Sequence, residues 1–188
     1  MKHIEIKGQL RQVSNKAAVK AIRRQGLVPC NLYGQGIENV LFTVSAKDLK
    51  AITNTPAAHI VDVVLDNGEK YEATVKEAQW HPVTDEALHV DFLAVNAAKP
   101  VVIEVPVRVE GHSEGVKMGG KLEVNVRKLK ISALAENLPD ELVVDVTSLQ
   151  IGKRIVAGDL NYENVAIVSP KTTIICNVKA TRASKAEE

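Results

Sequence analysis

Residues 11–36, RQVSNKAAVKAIRRQGLVPCNLYGQG, predict a basic helix that runs into a short strand between glycine turns. Ser14 or Asn15 can cap the helix start, Gly26 can follow its last residue, and the alanine-rich span favours helix over about residues 15–25. Four cations share an arc of about 100° on this helix: Lys16, Lys20, Arg23 and Arg24. The neighbouring arc is apolar: Ala18, Val19 and Ile22. The helix is therefore expected to dock through one face and to present cations on the next.

The charges of the first half of the chain are strongly polarised. Residues 1–34 carry seven cations and one acid, whereas residues 35–95 carry four cations and ten acids. A charged helix face alone is most often only a solvated surface. However, phosphate neutralisation needs a local basic patch of this kind and not a high total charge. The net charge of +1 is therefore no argument against nucleic acid.

The composition predicts a soluble, β-rich protein of two domains. The 188 residues are 45% hydrophobic and 25% charged, which is ordinary for globular domains. Aromatic residues are few, so the core must consist of Val, Ile, Leu and Ala, and the many Val and Ile favour sheet. Cys30 and Cys176 match no metal or redox spacing, which indicates reduced thiols. Neither a membrane span nor a signal peptide is evident, so a cytoplasmic location is expected.

Alternating polar and apolar residues predict the strands of the first domain. Residues 3–10 and 27–33 are expected to be strands, with Pro29 at a sheet edge or a strand start. Residues 59–79 predict a hairpin that turns at Asp66-Asn67-Gly68. In the strand that begins at Leu88, Val90 and Phe92 should face the core while His89 and Asp91 point outward together. That pair is either an ordinary polar face or a donor and acceptor for RNA bases.

Residues 97–100, AAKP, mark the predicted boundary between the domains. The predicted division is an N-terminal domain at 1–95, a β-rich domain at 96–180 and a flexible tail at 181–188. In the second domain, the glycine-rich stretch 111–120 is expected to be a hairpin loop, because it lacks the Gly-Lys-Ser/Thr of a phosphate-binding loop. Residues 121–134 are expected to form one strand, and residues 147–150 a helical turn.

Catalytic and metal-binding interpretations have little support in the sequence. The five histidines show no metal-ligand spacing, and no cofactor motif is present. An enzyme would need Cys30 as nucleophile with His89 as base and Asp91 as orienting acid, and nothing in the sequence brings these three together. Tyr33 is open to two interpretations, as a core residue or as a ring that stacks on or hydrogen-bonds to nucleic acid.

Four stretches carry a resemblance to a known family: RQVSNK, IRRQGLVPCNLYGQG, QWHP and HVDF. In order and spacing they resemble the bacterial large-subunit ribosomal proteins that bind 5S rRNA, whose long two-domain form is the general stress protein Ctc. The resemblance covers about residues 3–95, and the second domain is similar in length and β-character. It implies a noncatalytic, mainly β protein whose first domain is a small β-barrel with helices, similar to the anticodon-binding domain of glutaminyl-tRNA synthetase. The implied partners are 5S rRNA and neighbouring ribosomal proteins, with the chain a monomer within the cytoplasmic ribosome and without a cofactor.

The resemblance also implies which residues contact RNA. The main contacts it implies are Arg11, Lys16, Lys20, Arg23, Tyr33, His89 and Asp91. Additional contacts are Arg24, Lys76, Gln79 and His81. Lys20 stands where the family usually has arginine, so it keeps the charge but loses the bidentate geometry. The alternatives to a ribosomal function are a tRNA-recognition module and a protein-interaction adaptor.

Overall fold

The chain divides into two compact units, Met1–Val101 and Val102–Glu188. The structure is a computed structural model and describes residues 2–34, 36–53, 55, 58–96 and 99–181. Two residues of the predicted linker, Ala97 and Ala98, and the predicted tail beyond Thr181 lie outside the described residues. Among the described helices, none has the length and apolar character needed to cross a membrane.

The N-terminal unit is a closed six-stranded barrel with two helices. Its elements are β1 (Lys2–Leu10), α1 (Lys16–Arg24), β2 (Leu27–Gly34), β3 (Ile37–Ser45), α2 (Ala46–Thr53), β4 (His59–Leu65), β5 (Lys70–Trp80) and β6 (Ala87–Ala94). The strand order around the barrel is β1-β3-β2-β6-β5-β4, and β4 closes it by pairing in parallel with β1. A closed barrel has no edge strand, and Pro29 lies one residue before the parallel pairing of β2 with β6 begins at Cys30. The missing N–H of Pro29 therefore falls near the strand start.

The barrel interior is filled by alternating side chains from all six strands. Phe42 of β3 and Phe92 of β6 are fully buried, and their ring centroids are 5.7 Å apart. Gly8 of β1 leaves room for one of these rings, since a Cβ at this position would lie 2.6 Å from the Phe42 ring. The prediction that Val90 and Phe92 face the core is confirmed, because both are fully buried.

Helix α1 begins and ends as the sequence predicts. Asn15 caps α1, and its side chain accepts a hydrogen bond from the Ala18 N–H at 3.0 Å. Gly26 follows the helix with a φ of +76°, a conformation that glycine adopts without strain. At α2, the Ser45 hydroxyl accepts from the Lys47 N–H at 3.3 Å, and Leu49 and Ile52 are buried. Ser45 with Asp48 three residues later predicts a short helix to about Asn54, and Asn54 lies outside the described residues.

The C-terminal unit consists of two small sheets. Its elements are β7 (Val101–Glu110), α3 (Glu114–Lys117), β8 (Lys121–Val124), β9 (Lys128–Ala133), β10 (Leu142–Asp145), β11 (Arg154–Val156), β12 (Ala166–Ile167) and β13 (Ile174–Lys179), with two 3-10 turns at Ala135–Asn137 and Ala157–Asp159. One sheet has the order β10-β7-β9-β12 and the other the order β11-β13-β8. The fold class is confirmed, since a mainly β chain begins with a barrel and continues in a β-rich unit.

Three local predictions for the C-terminal unit are wrong. Residues 121–134 form two strands and not one, because the chain leaves β13 at Asn125, whose N–H bonds to the Ile175 carbonyl, and joins β7 at Arg127. The glycine-rich stretch contains α3 and links strands of different sheets, so it is not a hairpin loop. Residues 147–150 form a simple turn without helix.

Candidate nucleic-acid interface

Helix α1 presents all four of its cations to solvent. Lys16, Lys20, Arg23 and Arg24 are exposed, whereas Ala18, Val19 and Ile22 are partly buried. The helix lies against β2. The Arg23 Nε donates a 3.0 Å hydrogen bond to the Leu88 carbonyl of β6. Sequence reasoning missed this contact, which ties the basic helix to the strand that carries His89 and Asp91.

Strand pairing aligns one leucine and four polar residues from distant parts of the chain in one row around the barrel. The Arg11 N–H bonds to the Leu41 carbonyl at 2.9 Å, Leu41 pairs with Asn31, Asn31 pairs with Asp91, and Asp91 pairs with Glu77. Asn31 and Asp91 each lie between two fully buried residues of their strands, so their side chains lie on the outer surface of the barrel, where Glu77 is exposed. We call Arg11, Leu41, Asn31, Asp91 and Glu77 the cross-barrel row.

His89 and Asp91 point outward together, as predicted. The His89 Nδ1 is 3.4 Å from the Asp91 Oδ1, and the two side chains are 26% and 25% exposed. Both are held on a rigid strand, because Val90 between them is fully buried. The carboxylate can therefore orient the imidazole and still accept a hydrogen bond from an outside group.

Tyr33 lies on the same strand as Asn31, two residues further along β2. It pairs with Leu93 of β6 and is partly exposed, whereas its neighbour Leu32 is fully buried. The interpretation of Tyr33 as a core residue is therefore wrong. An aromatic ring on this surface is available for stacking or for hydrogen bonding through its hydroxyl.

The additional contacts implied by the resemblance lie on β5 and at its end. Gln79 is exposed and pairs with His89, and Lys76 is exposed at a bulge in β5 beside Glu77. His81 has a structural role in the turn after β5, since its Nδ1 accepts from the backbone N–H groups of Val83 and Thr84 at 3.3 and 3.1 Å. This arrangement requires an unprotonated Nδ1 and leaves only Nε2 of His81 for an outside contact.

Two polar atoms of the cross-barrel row are buried and have no hydrogen-bond partner among the residues that the structure describes: the Arg11 Nε and the Asn31 Oδ1. Buried polar atoms are nearly always paired, so each of these calls for an explanation. Sequence reasoning had singled out Arg11 but not Asn31. A signal was present, because asparagine is disfavoured in strands and here stands in the apolar stretch LVPCNLY.

Cys30 cannot act as the nucleophile of an enzyme. Its side chain faces the barrel core and is fully buried, whereas His89 and Asp91 face outward. Burial raises the pKa of the Cys30 thiol to about 12, although the Arg11 charge partly opposes this shift. Within the described part of the chain, no three His, Cys, Asp or Glu side chains form a group that could hold a metal.

We predict that the native Cys30 thiol resists alkylation at pH 8, because at a pKa of about 12 only about one thiol in 10⁴ is ionised. Mass spectrometry after iodoacetamide treatment should show Cys30 unmodified in the native chain and modified in urea. Cys30→Ala should leave RNA affinity nearly unchanged at a stability loss of about 1 kcal/mol. Rapid native alkylation, or a large loss of binding by a folded Cys30→Ala variant, would contradict this account.

The same pKa shift predicts a loss of stability in alkali. The unfolded chain ionises this thiol near pH 9, whereas the folded chain holds it neutral to about pH 12. Ionisation therefore favours the unfolded state, and this contribution to stability is complete below pH 9 and falls as the pH rises from 9 to 12. Urea midpoints of the parent should decrease over this range more steeply than those of Cys30→Ala. Parallel pH profiles would show that Cys30 ionises alike in both states.

The sequence matches two protein families over nearly its whole length. Residues 6–92 match the Ribosomal L25p family, and residues 100–182 match the C-terminal domain of ribosomal protein TL5. The chain is 45% identical over 190 residues to a protein of Bacteroides thetaiotaomicron named large ribosomal subunit protein bL25, covering 98% of this chain and 96% of that protein. The chain belongs to the Ribosomal L25p family.

Other relatives with the same name support this membership. The protein of Porphyromonas gingivalis is 43% identical over 185 residues, and that of Parabacteroides distasonis is 40% identical over 190 residues. Each alignment covers 98% of this chain and at least 96% of the relative. The presence of both family domains confirms the predicted long form of the L25p family. This is a family of ribosomal proteins and not of enzymes, so the prediction of a noncatalytic protein is confirmed.

Proposed function

We propose that this L25p-family protein is a component of the large ribosomal subunit and binds 5S rRNA through the outer surface of its N-terminal barrel. The observation that carries the proposal is the convergence of polar residues from β2, β6 and the end of β1. Tyr33 of β2 lies beside β6, which carries His89 and Asp91, and Arg11, just after β1, bonds to Leu41 of β3, the strand on the other side of β2. The basic helix α1 lies against the same strands.

The residues of this surface divide into two chemical classes. The cations of α1 together with Arg11 can neutralise phosphates, which supplies most of the affinity but reads no sequence. Tyr33 can stack on an unpaired base, and the fixed His89–Asp91 pair can hydrogen-bond to base edges. RNA internal loops expose such bases, whereas regular RNA helices hide them. The surface therefore fits a folded RNA with an irregular region.

We predict that Lys20→Ala weakens 5S rRNA binding and lowers the salt dependence by about one phosphate contact. Lys20 is exposed on the cationic side of α1, so its loss should not disturb the fold. Lys50→Ala is the matched control, since Lys50 is exposed on α2 within the acidic stretch. Affinity measured at several salt concentrations gives the slope of log K against log salt. Equal slopes for Lys20→Ala and the parent would show that Lys20 contacts no phosphate and lies on a solvated helix face.

The ribosomal part of the proposal is tested by sedimentation of a cytoplasmic extract. The protein should migrate with the large subunit, and 5S rRNA should be recovered with it when the subunit is dissociated under mild conditions. Recovery with tRNA and not with 5S rRNA would favour a tRNA-recognition module. Migration with other proteins and without RNA would favour an adaptor, and either result would contradict the proposed function.

A further inference from the structure

Asn31 occupies the centre of the cross-barrel row. It pairs with Leu41 of β3 on one side and with Asp91 of β6 on the other. The side chains of Asn31 and Tyr33 share the outer side of β2. Leu32 between them and Cys30 before Asn31 are fully buried and therefore point into the barrel. Asn31 thus lies among the residues to which the proposed function assigns RNA contacts, although nothing in the family resemblance pointed to it.

An asparagine at this position is unfavourable for the folded protein alone. Asparagine is depleted in strands, and within the described part of the chain the buried Oδ1 of Asn31 has no hydrogen-bond partner. A leucine or valine would fill a partly buried strand position next to Leu41 without leaving an unpaired acceptor. The residue therefore lacks a structural explanation within the barrel.

Asn31 is partly exposed, and no hydrogen bond from the described residues holds its Oδ1. Because the terminal torsion of asparagine is broad, a rotation of the amide would turn the oxygen and the NH₂ group toward an outside group together. The Arg11 Nε of the same row is also without a hydrogen-bond partner among the described residues, so the row holds an unpaired donor as well as an unpaired acceptor. A ligand that presents a donor beside an acceptor would satisfy both kinds of atom.

We propose that Asn31 reads an RNA base, with its amide paired to the adjacent donor and acceptor of an adenine, as N6 and N7 present them. Asparagine and glutamine match this edge of adenine by geometry, whereas a carboxylate such as Asp91 can only accept. Asn31 and Asp91 are paired neighbours, so they offer different hydrogen-bonding patterns to adjacent parts of the RNA. This inference rests on the proposed 5S rRNA binding and assigns one base contact within it.

The test compares full-length variants against a panel of 5S rRNA transcripts in which each unpaired adenine is replaced singly. Asn31→Leu removes the amide and keeps the volume, and Asn31→Thr serves as a second variant with good strand propensity. Asn125→Leu is the matched control, because it makes the same chemical change at an exposed position of the C-terminal unit. Circular dichroism and a urea midpoint establish that each variant is folded.

We expect Asn31→Leu to bind wild-type 5S rRNA about 5- to 150-fold more weakly, the usual range for a bidentate base contact, and Asn125→Leu to bind like the parent. One adenine replacement should weaken the parent by a similar factor and have no further effect on Asn31→Leu. Equal affinity of Asn31→Leu and Asn31→Thr with the parent would overturn the inference. Weaker binding with every base preference retained would also overturn it, because a structural or phosphate-binding role would act on all RNAs alike. Failure of the parent itself to bind 5S rRNA would instead refute the proposed function.

Discussion

Asp91→Asn is expected to weaken binding of 5S rRNA by about 1–3 kcal/mol, the usual worth of a specific base contact. The substitution keeps the shape of the side chain, removes its charge and turns half of it into a donor. Asp91 lies on a rigid strand, is a quarter exposed and is 3.4 Å from the His89 ring. It can accept from a base amino group or fix the imidazole, and an asparagine would serve both roles less well because it lacks the charge and has one acceptor oxygen where aspartate has two. Electrostatic repulsion alone predicts the opposite sign, because phosphates should bind more tightly once an acid is removed.

Glu77→Gln separates these two effects. Glu77 is exposed and pairs with Asp91 across β5 and β6, so it is a neighbour of Asp91 on the barrel surface. Its replacement removes the same charge without touching the His89–Asp91 pair. We expect Glu77→Gln to bind equally or slightly more tightly, and Asp91→Asn to bind more weakly, at two salt concentrations. Equal or tighter binding by Asp91→Asn would reduce Asp91 to an ordinary polar residue of the barrel surface.

Phe92→Ala is expected to destabilise the N-terminal unit by about 3–5 kcal/mol, the range for removing a buried aromatic ring. Phe92 is fully buried, and its ring lies 5.7 Å from that of Phe42. The loss of stability therefore includes the transfer free energy of the apolar ring, the cost of the cavity that remains and the lost contact between the two rings. Phe92→Leu retains most of the volume and should lose about 1.5 kcal/mol or less.

Urea denaturation followed by Trp80 fluorescence measures this loss. Trp80 is the single tryptophan of the chain and lies on β5, so its signal reports on the barrel even if the C-terminal unit unfolds separately. A large decrease in the midpoint for Phe92→Ala and a small one for Phe92→Leu are expected. A loss below 1 kcal/mol for Phe92→Ala would mean that the aromatic pair is not central to barrel stability.

Elements with a local signal were predictable from the sequence. The cap residue Asn15 and the terminal Gly26 bound α1 as expected, because capping depends on neighbouring residues alone. The hairpin of β4 and β5 was equally accessible, since the Gly68 N–H bonds to the Leu65 carbonyl within the predicted turn. The closed barrel itself came from the family resemblance and not from these local patterns.

Features that depend on distant pairing were not predictable. The parallel pairings of β1 with β4 and of β2 with β6 join residues that are 57 and 60 positions apart, and no local pattern specifies them. The break between β8 and β9 was hidden for a related reason. Residues 124–127, VNVR, continue the alternation without glycine or proline, and the break arises only because the chain passes from one sheet to the other.

The residues of the candidate site also divide into those that a local pattern predicts and those whose neighbours depend on distant pairing. Alternation predicted that His89 and Asp91 share an outward face, and the structure bears this out. The Arg23 hydrogen bond to Leu88, the turn role of His81 and the position of Asn31 beside Asp91 each depend on pairing or docking between separate segments. Sequence reasoning could mark these residues as polar, but it could not assign their neighbours.

The central claim is that this chain recognises 5S rRNA in preference to other folded RNAs. Its most direct test is the equilibrium affinity of the full-length protein for 5S rRNA and for a tRNA of comparable charge density, measured in the same buffer at about 0.15 M salt. The account predicts at least about 10³-fold tighter binding to 5S rRNA, since specific sites typically exceed non-specific ones by this factor or more. Equal affinity for the two RNAs, or tighter binding to tRNA, would contradict it.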